Sequence, residues 1–359
     1  MTKEAHLNIH VVQTLPEAEW RNFVNQHPQS TIFHTPEMFQ VFERTQGYKP
    51  TIWAAVNQDG QVLALLLPIQ IALGNGIARF FTTRAVAYGS VLYESSPSGK
   101  KALDLLLRTY AQEVDREVLF TELRNISDLS DIQGALNNCG FVYEDHLNYL
   151  IPLHRPVDDI FRSFGSQARN RIRKELRRGE VTVHEGVTIE DVHDSYEVLQ
   201  QTYAAARVPL ADRSLFETIF NTLHPLGMAR FHLARIEKKC VATSVELLHK
   251  ETVYSWYGGV NRAYSSYHPN EVLTWHVLQW GAENGYHVYD FGGAGKPSER
   301  YGVRDFKSKF GGDLVCYGRN TCYHAPRRLA VSKVGYEIYR RLQNLQSAGV
   351  GQVNPKSPS

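Results

Sequence analysis

The chain states one order of elements twice, and that repetition constrains its fold more than any single motif. In the second half, ARFHLARI (229–236), CVATSVELLH (240–249) and VYSWYGGV (253–260) read as three strands joined by the turn signals EKK and KET. Val241, Val245 and Leu247 fall on one face, the period of two expected of a half-buried strand. Leu273, Val277, Trp280 and Gly281 then recur at helical spacing, Gly285 stops that helix, and HVYDF (287–291) is a further strand. The first half offers TIWAAV (51–56), the hairpin signal NQDG, QVLALLLPIQIAL (61–73) and ARFFTTRAVAYGSVLY (78–93). A helix follows, opened by Ser96 and Pro97 and carrying Leu103, Leu106, Leu107, Tyr110, Ala111 and Val114 on one stripe; VLFTEL (118–123) is the strand after it. Helices precede both meanders, at 16–25 and 36–44, and at 157–178, 189–207 and 213–223. A strand closes each half, at 140–153 and 313–324.

Two such units make an α+β protein of two tandem domains, each a mixed, mostly antiparallel sheet flanked by helices. One parallel strand pair should flank each crossover helix. Long βαβ alternation is missing, which argues against a doubly wound sheet. The expected boundaries are 1–150 and 151–325, with a C-terminal helix at 326–345 available to complete the first domain. The last stretch, 346–359, is expected to be disordered.

The chain has 359 residues, 43% hydrophobic and 21% charged, with a net charge of +2. No global field argues for bulk nucleic-acid binding, so any basic surface must be local. Cys139, Cys240, Cys316 and Cys322 show no CxxC spacing and read as buried, reduced thiols rather than disulfides or a zinc site. His268, His276 and His287 fall near the candidate site without metal-ligand spacing, so no metal is expected. The N-terminus lacks a signal-like apolar segment, and the most apolar run, 62–73, is too short to span a bilayer and is broken by Pro68. A cytoplasmic protein without a transmembrane segment is the expectation.

One helix is locally basic. RNRIRKELRR (169–178) sets six cations against the single Glu175, with Ile172 and Leu176 as an apolar seam. Arg169, Arg173, Lys174 and Arg177 are the candidate anion-binding set. Phosphates of a tRNA, a nucleotide-diphosphate sugar or anionic lipid headgroups at a peripheral membrane contact would suit them; a solvated face is the plainer reading. GGAGKPSER is not a phosphate-binding Walker loop, because Pro297 follows Lys296 and the glycine spacing is wrong.

Three strands, a helix and a strand form the core order of the GNAT acyltransferases. Two units in one chain resemble the Fem family, the aminoacyltransferases that build peptidoglycan cross-bridges, and related tandem-GNAT proteins. SQARNRIRKELRRGEVTVHEG (166–186), HPNEVLTWHVLQWGAENGYHVYDFGG (268–293) and YGVRDFKSKFGGDLV (301–315) carry the resemblance, the last being similar to a G-x-x-x-F-K-x-x-F-G signature. The resemblance implies an N-acyltransferase acting on an amine of an envelope precursor, nucleotide- or lipid-linked, by direct attack. It implies no tightly bound cofactor, with aminoacyl-tRNA or acyl-CoA as donor. The glycine-rich loop that cradles CoA in many GNAT enzymes is absent, since NRAYSSYHPNEV (261–272) stands there. No heptad run marks the coiled-coil arm of many Fem enzymes. The family's acceptor-binding lysine in the first half has no match, Glu43–Arg44 being nearest.

The catalytic candidates are Lys307, Asp290 and Tyr257. Lys307, from the signature, would place a cation beside developing negative charge; on an extended segment it would share a face with Lys309. Asp290, at a strand end, reads as a general base or as a turn cap or partner of Arg300. Backbone N–H groups near Tyr257 to Val260 would hold an oxyanion. Arg207, by resemblance, and Arg213 on the same loop, with Trp256, Phe306 and Arg304, form the expected acceptor-binding set. Two other readings stand beside this one: an acyl-CoA-dependent GNAT N-acetyltransferase of an amino sugar or small amine, and a non-catalytic binder of nucleotide-sugar or RNA.

Overall fold

The computed structural model of the chain describes residues 8–72 and 76–332. In chain order the strands are β1 (His10–Val12), β2 (Tyr48–Pro50), β3 (Trp53–Val56), β4 (Val62–Leu66), β5 (Ile69–Ile71), β6 (Arg84–Tyr88), β7 (Val91–Tyr93), β8 (Phe120–Arg124), β9 (Phe141–Glu144), β10 (Leu147–Pro152), β11 (Val181–Glu185), β12 (Ala229–Ile236), β13 (Lys239–His249), β14 (Thr252–Val260), β15 (Val288–Gly293), β16 (Asp313–Cys316) and β17 (Arg319–Tyr323). The helices are α1 (Glu17–Gln26), α2 (Pro36–Arg44), α3 (Arg79–Thr82), α4 (Pro97–Glu113), α5 (Gln133–Asn138), α6 (Val157–Ser163), α7 (Ser166–Arg178), α8 (Ile189–Ala206), α9 (Arg213–Thr222), α10 (Pro269–Glu283) and α11 (Gly302–Lys307).

The second half builds one sheet of seven strands, in the order β11-β12-β13-β14-β15-β10-β16. Its meander is the expected one, with β12, β13 and β14 antiparallel and β15 parallel to β14 after the α10 crossover. The first half departs from the expected three continuous strands. Its meander divides between a four-stranded sheet, β1-β3-β4-β7, and a six-stranded sheet, β2-β5-β6-β8-β17-β9. Pro68 separates β4 from β5, because a residue with no N–H cannot continue the ladder. The segment expected to be one strand at 78–93 begins as a helical turn and α3. Gly89 and Ser90, at φ 75° and 67°, then turn β6 into β7.

Both closing strands are also broken, and their pieces are exchanged. The expected strand 140–153 is β9 in the six-stranded sheet and β10 in the seven-stranded one. The expected strand 313–324 is β16 beside β10, and β17 between β8 and β9. A cut at residue 150 would pass through β10. The helical residues 326–332 return to the first half, where Arg328 Nη1 donates to Phe80 O at 3.3 Å. The rest of the helix expected at 326–345, and the tail 346–359, lie outside the described residues.

Two further corrections concern helices. The helix expected at 157–178 breaks at Phe164–Gly165, both extended in ψ. Phe164 turns inward against Trp275 and Phe310, and Arg169 donates to Arg162 O at 2.7 Å and to Phe164 O, satisfying carbonyls at the end of α6. The buried seam of α7 is Ala168, Ile172 and Glu175, while Leu176 is exposed.

One core cluster joins the halves. Phe33, Met38, Val41 and Phe42 pack with Val198, Phe216, Phe231 and Val245. Each of these side chains is at most 3% exposed, and each such burial contributes about 1.5–3 kcal/mol. That shared core fixes the relation of the two halves, and so the cleft between them.

Candidate active site

The cleft originates in a sheet defect. β14 and β15 pair in parallel for three rungs, Thr252–Val288, Val253–Tyr289 and Tyr254–Asp290, and then part. Beyond that point Ser255 to Val260 on one side and Phe291 to Gly293 on the other line a cavity of about 1330 Å³. β14 also carries a bulge: Val245 faces Tyr257 while Glu246 faces Ser255, leaving Trp256 as the extra residue. Simple alternation would send Trp256 and Tyr257 to opposite faces. The bulge lets both line the cavity with Tyr254.

Asp290 stands on the last paired rung and is 2% exposed. Its Oδ1 accepts from Gly292 N–H at 2.7 Å and from Asn148 Nδ2 at 3.5 Å. Burial pushes its carboxyl up to about 6, against the Gly292 N–H, the Lys307 cation and Asn148. Gly292 makes this turn at φ 72°, a left-handed conformation that favours glycine.

Lys307 closes α11 and is 8% exposed. Its ammonium donates to Gly293 O at 2.9 Å and to Phe291 O, so it is clamped on the parted end of β15. Burial lowers its pKa to about 8, with Asp290 acting in the opposite direction. Lys307 does not share an extended face with Lys309. The segment is helical, and Lys309 instead reaches Glu271 at 3.7 Å. The following Gly312, at φ 85°, lets the chain pass so close to β10 that an added Cβ would lie 2.5 Å from Leu150 O.

Of the remaining sequence candidates, Tyr257, Trp256 and Phe306 line the cavity. Tyr257 packs on Phe216 and Trp256 at 4.9 and 5.1 Å, and burial holds its phenol well above the usual range. The N–H of Val260 donates to Thr202 Oγ1 at 2.9 Å, which removes it from the expected oxyanion donors. Arg304 is engaged with backbone, donating to Lys296 O at 2.8 Å and to Glu299 O. Arg213 is exposed and paired with Glu217 at 3.0 Å. Arg207 is exposed in a left-handed conformation at the end of α8, just before the cavity-lining segment from Val208 to Asp212. On α7, Arg173, Lys174 and Arg177 are exposed and Arg169 half-buried, none of them lining the cavity. Among the described residues no group of His, Cys, Asp and Glu could hold a metal ion. Cys316 is exposed on the edge strand β16, contrary to the expectation of a buried thiol.

The opposite wall of the cavity was not anticipated. Seven Lys and Arg side chains line the cavity against one carboxylate, Asp212, so a chain of net charge +2 concentrates cations here. Arg84, Tyr88 and Arg124 come from β6 and β8, His146 from the β9–β10 turn, and Arg319 from β17. The start of α10 carries the reverse charge. Glu271, in its first turn and 7% exposed, pairs with Arg171 at 3.1 Å.

Residues 162–308 match the acetyltransferase (GNAT) domain family. The lipid II:glycine glycyltransferase of Staphylococcus haemolyticus is 22% identical over 380 aligned residues, 80% of this chain and 87% of that protein. The crystal structure of FemX superposes with a TM-score of 0.67 at 17% identity, covering 90% of this chain and all of that one. A tandem GNAT protein from the clavulanic acid biosynthesis pathway superposes at 0.57 with 8% identity, covering 88% and 99%. The fold is therefore the tandem GNAT fold, and the expected resemblance to Fem-like transferases is borne out over most of the chain.

Proposed function

We propose that this acyltransferase, a tandem GNAT chain of Fem-like organisation, moves an activated aminoacyl group onto an amine of a peptidoglycan precursor. The observation that carries the reading is the parted β14–β15 pair, with a buried ammonium and a buried carboxyl on the same strand end. A neutral amine oriented in the cavity attacks the acyl carbonyl directly. Asp290 lies behind the cavity lining on the last paired rung; ionised above about pH 6, it is the carboxyl suited to receive the amine's proton through an intervening group rather than by direct contact. Lys307, protonated below about pH 8, stabilises the charge that develops on the carbonyl oxygen or on the departing oxygen of the donor. Electrostatics in a site shielded from water act more strongly than at the surface.

Aminoacyl-tRNA is favoured over acyl-CoA as donor by the segment that precedes α10. In GNAT enzymes that use CoA, a helix N-terminus after the third meander strand takes the pyrophosphate. Here residues 261–268 ahead of that helix contain no glycine to bring backbone N–H groups onto a diphosphate, and Glu271 in its first turn is paired with Arg171 and Lys309. The exposed cations of α7 supply the phosphate-binding surface, with a lipid headgroup as the other anion they would suit. No helix of the described residues is long and apolar enough to cross a membrane; the proposed setting is the cytoplasm, with acceptor reached there as a nucleotide- or lipid-linked precursor. The test is transfer of labelled amino acid from charged tRNA to lipid II or to its nucleotide-linked peptide precursor, with acyl-CoA run in parallel. Transfer from CoA alone would overturn the donor assignment. Transfer from neither donor would overturn the reading.

A further inference from the structure

The cation-rich wall opposite Lys307 has no role in the chemistry just described. Arg124 donates from Nε to Glu122 at 2.6 Å, and Arg319 Nη1 reaches both oxygens of the same carboxylate at 3.2 Å. Burial pushes the Glu122 carboxyl up, but Arg124, Arg319 and Arg84 outweigh it and hold it down at about 2. Glu122 is therefore fully ionised, and three guanidiniums share its one charge. His146 adds none: burial, with Arg319 beside it, lowers its imidazole to about 4. It takes a 2.9 Å contact from Arg319 Nη2. The wall thus carries excess positive charge at every pH at which the protein would work.

The excess faces the cavity. About a quarter of each of the Arg124 and Arg319 side chains, 27% in both cases, remains accessible there. Arg84 lines the cavity, has no ion pair among the described residues, and leaves a buried Nε–H without an acceptor. Arg124 also lies over the Tyr88 ring at 5.0 Å and donates to its hydroxyl at 3.3 Å, which fixes the plane of its guanidinium. Burying guanidiniums with too few acceptors is unfavourable in the free protein. A planar, bidentate oxyanion is the ligand that relieves it.

The wall is also close to the reacting end of the site. A Cβ built on Gly293 would lie 3.9 Å from Arg319 Nη2, and one built on Gly292 would lie 3.9 Å from Lys307 Nζ. The two cations therefore flank one pair of consecutive glycines. An anion held at Arg319 therefore lies beside the parted end of β15, next to the place where Lys307 is clamped.

We infer that Arg84, Arg124 and Arg319 form a recognition site for an oxyanion, carboxylate or phosphate, carried by the acceptor near its nucleophilic amine. This rests on the acyl-transfer reading for the word acceptor, but not for the existence of the anion site. The chemistry has two sources. One is an amino-acid amine whose own carbon bears a carboxylate. The other is a phosphate ester of an amino alcohol. Both place a −1 to −2 charge beside an amine, and the arms of the experiment separate them.

The experiment is calorimetric binding to the full chain, without donor, so that no transfer is required. One pair of probes is a short peptide ending in lysine and the same peptide ending in 2,6-diaminopimelate, which differ by a carboxylate on the amine-bearing carbon. The other pair is ethanolamine and phosphoethanolamine. The anionic member of one pair should bind the wild type about tenfold or more tightly than its neutral counterpart, the scale of one charge-assisted bidentate contact. Arg84→Gln should bring that preference down to about twofold or less while leaving the neutral probe's affinity in place. Arg319→Lys, which keeps the charge but loses the fork, should weaken the preference partially. Arg84 is in no ion pair of the described residues, so its substitution can be checked for an unchanged melting curve. Equal binding of both members in both pairs, or a preference that survives both substitutions, would overturn the inference. Preference without any transfer from tRNA or CoA would leave the anion site standing and remove the proposed reaction. Transfer that ignores the acceptor's charge would do the opposite.

Discussion

The two halves of the molecule use the same parallel strand pair in opposite ways. In the second half, β14 and β15 part after Tyr254–Asp290, and Lys307 sits at the opening with Asp290 behind it on the last rung. In the first half, β6 and β8 pair from Ala85–Thr121 to Tyr88–Arg124, and the ladder continues with Gly89 N–H on Arg124 O at 3.0 Å. A closed pair cannot admit an acyl chain between its strands, but it presents the side chains of its end, Tyr88 and Arg124, as a firm wall. Duplication of one unit has thus yielded an open copy suited to chemistry and a closed copy suited to holding a substrate. Exchange of β10 and β17 between the sheets locks the two copies face to face.

The largest effect should come from the open copy. Lys307→Met is expected to lower transfer by about 10²–10³-fold, the scale for losing one donor to a developing oxyanion. It should leave the melting temperature unchanged or raised, because a buried ammonium is costly to the fold. A large fall in stability together with activity would mean that Lys307 is a structural clamp.

Gly292→Ala tests whether the parting of the strands matters by itself. The residue sits at φ 72°, and its Cβ would lie 3.3 Å from Ser255 O across the gap. Left-handed strain alone costs about 1–2 kcal/mol. Activity should fall about tenfold or more if the turn shifts Asp290 and Lys307 out of register. Unchanged kinetics would show that the opening tolerates displacement.

The pH profile sharpens the comparison further. With Asp290 ionised above about 6 and Lys307 protonated below about 8, kcat/KM should be bell-shaped with limbs near those values. Asp290→Asn should remove the acid limb. Stability should run the other way. Asp290, raised in the folded chain from 3.8, loses stabilising protonation as pH rises through about 6. Lys307, lowered from 10.5, makes the fold less stable as pH falls through about 8. Their joint contribution is least favourable between those limits, where the site carries both charges. A flat rate profile across pH 5–9 would contradict the assignment of both groups.

The smallest effects belong outside the cavity. Lys174→Glu with Arg177→Glu should weaken donor tRNA binding and flatten its salt dependence without changing the rate at saturation. Arg213→Ala should change activity little, because its guanidinium is exposed and paired with Glu217.

The open copy was legible because its signals are continuous. Strands of 8, 11 and 9 residues run long and unbroken apart from two bulges, and Lys307 lies in a local signature. The first half was misread where single residues override a strand-like composition, at Pro68 and at Gly89–Ser90. The arginine wall was not legible because Arg84, Arg124, His146 and Arg319 meet only through sheet pairing and strand exchange. A weak local sign existed. Glu122 and Arg124 are two apart on β8 and share the half-buried face opposite the buried Thr121 and Leu123, so opposite charges fall side by side on one strand face. The helical path of Lys307 and Lys309 could not be read from spacing, because six residues of α11 are too few to show a period.

The central claim is that transfer occurs at the opening of the second copy, from an aminoacyl-tRNA, with Lys307 as the charge-stabilising group. The most direct measurement is single-turnover transfer from labelled aminoacyl-tRNA to lipid II by wild type and by Lys307→Met, with tRNA binding measured on both. The account predicts transfer by the wild type, a loss of about 10²–10³-fold in the variant, and equal tRNA affinity. Equal rates in the two proteins would contradict it.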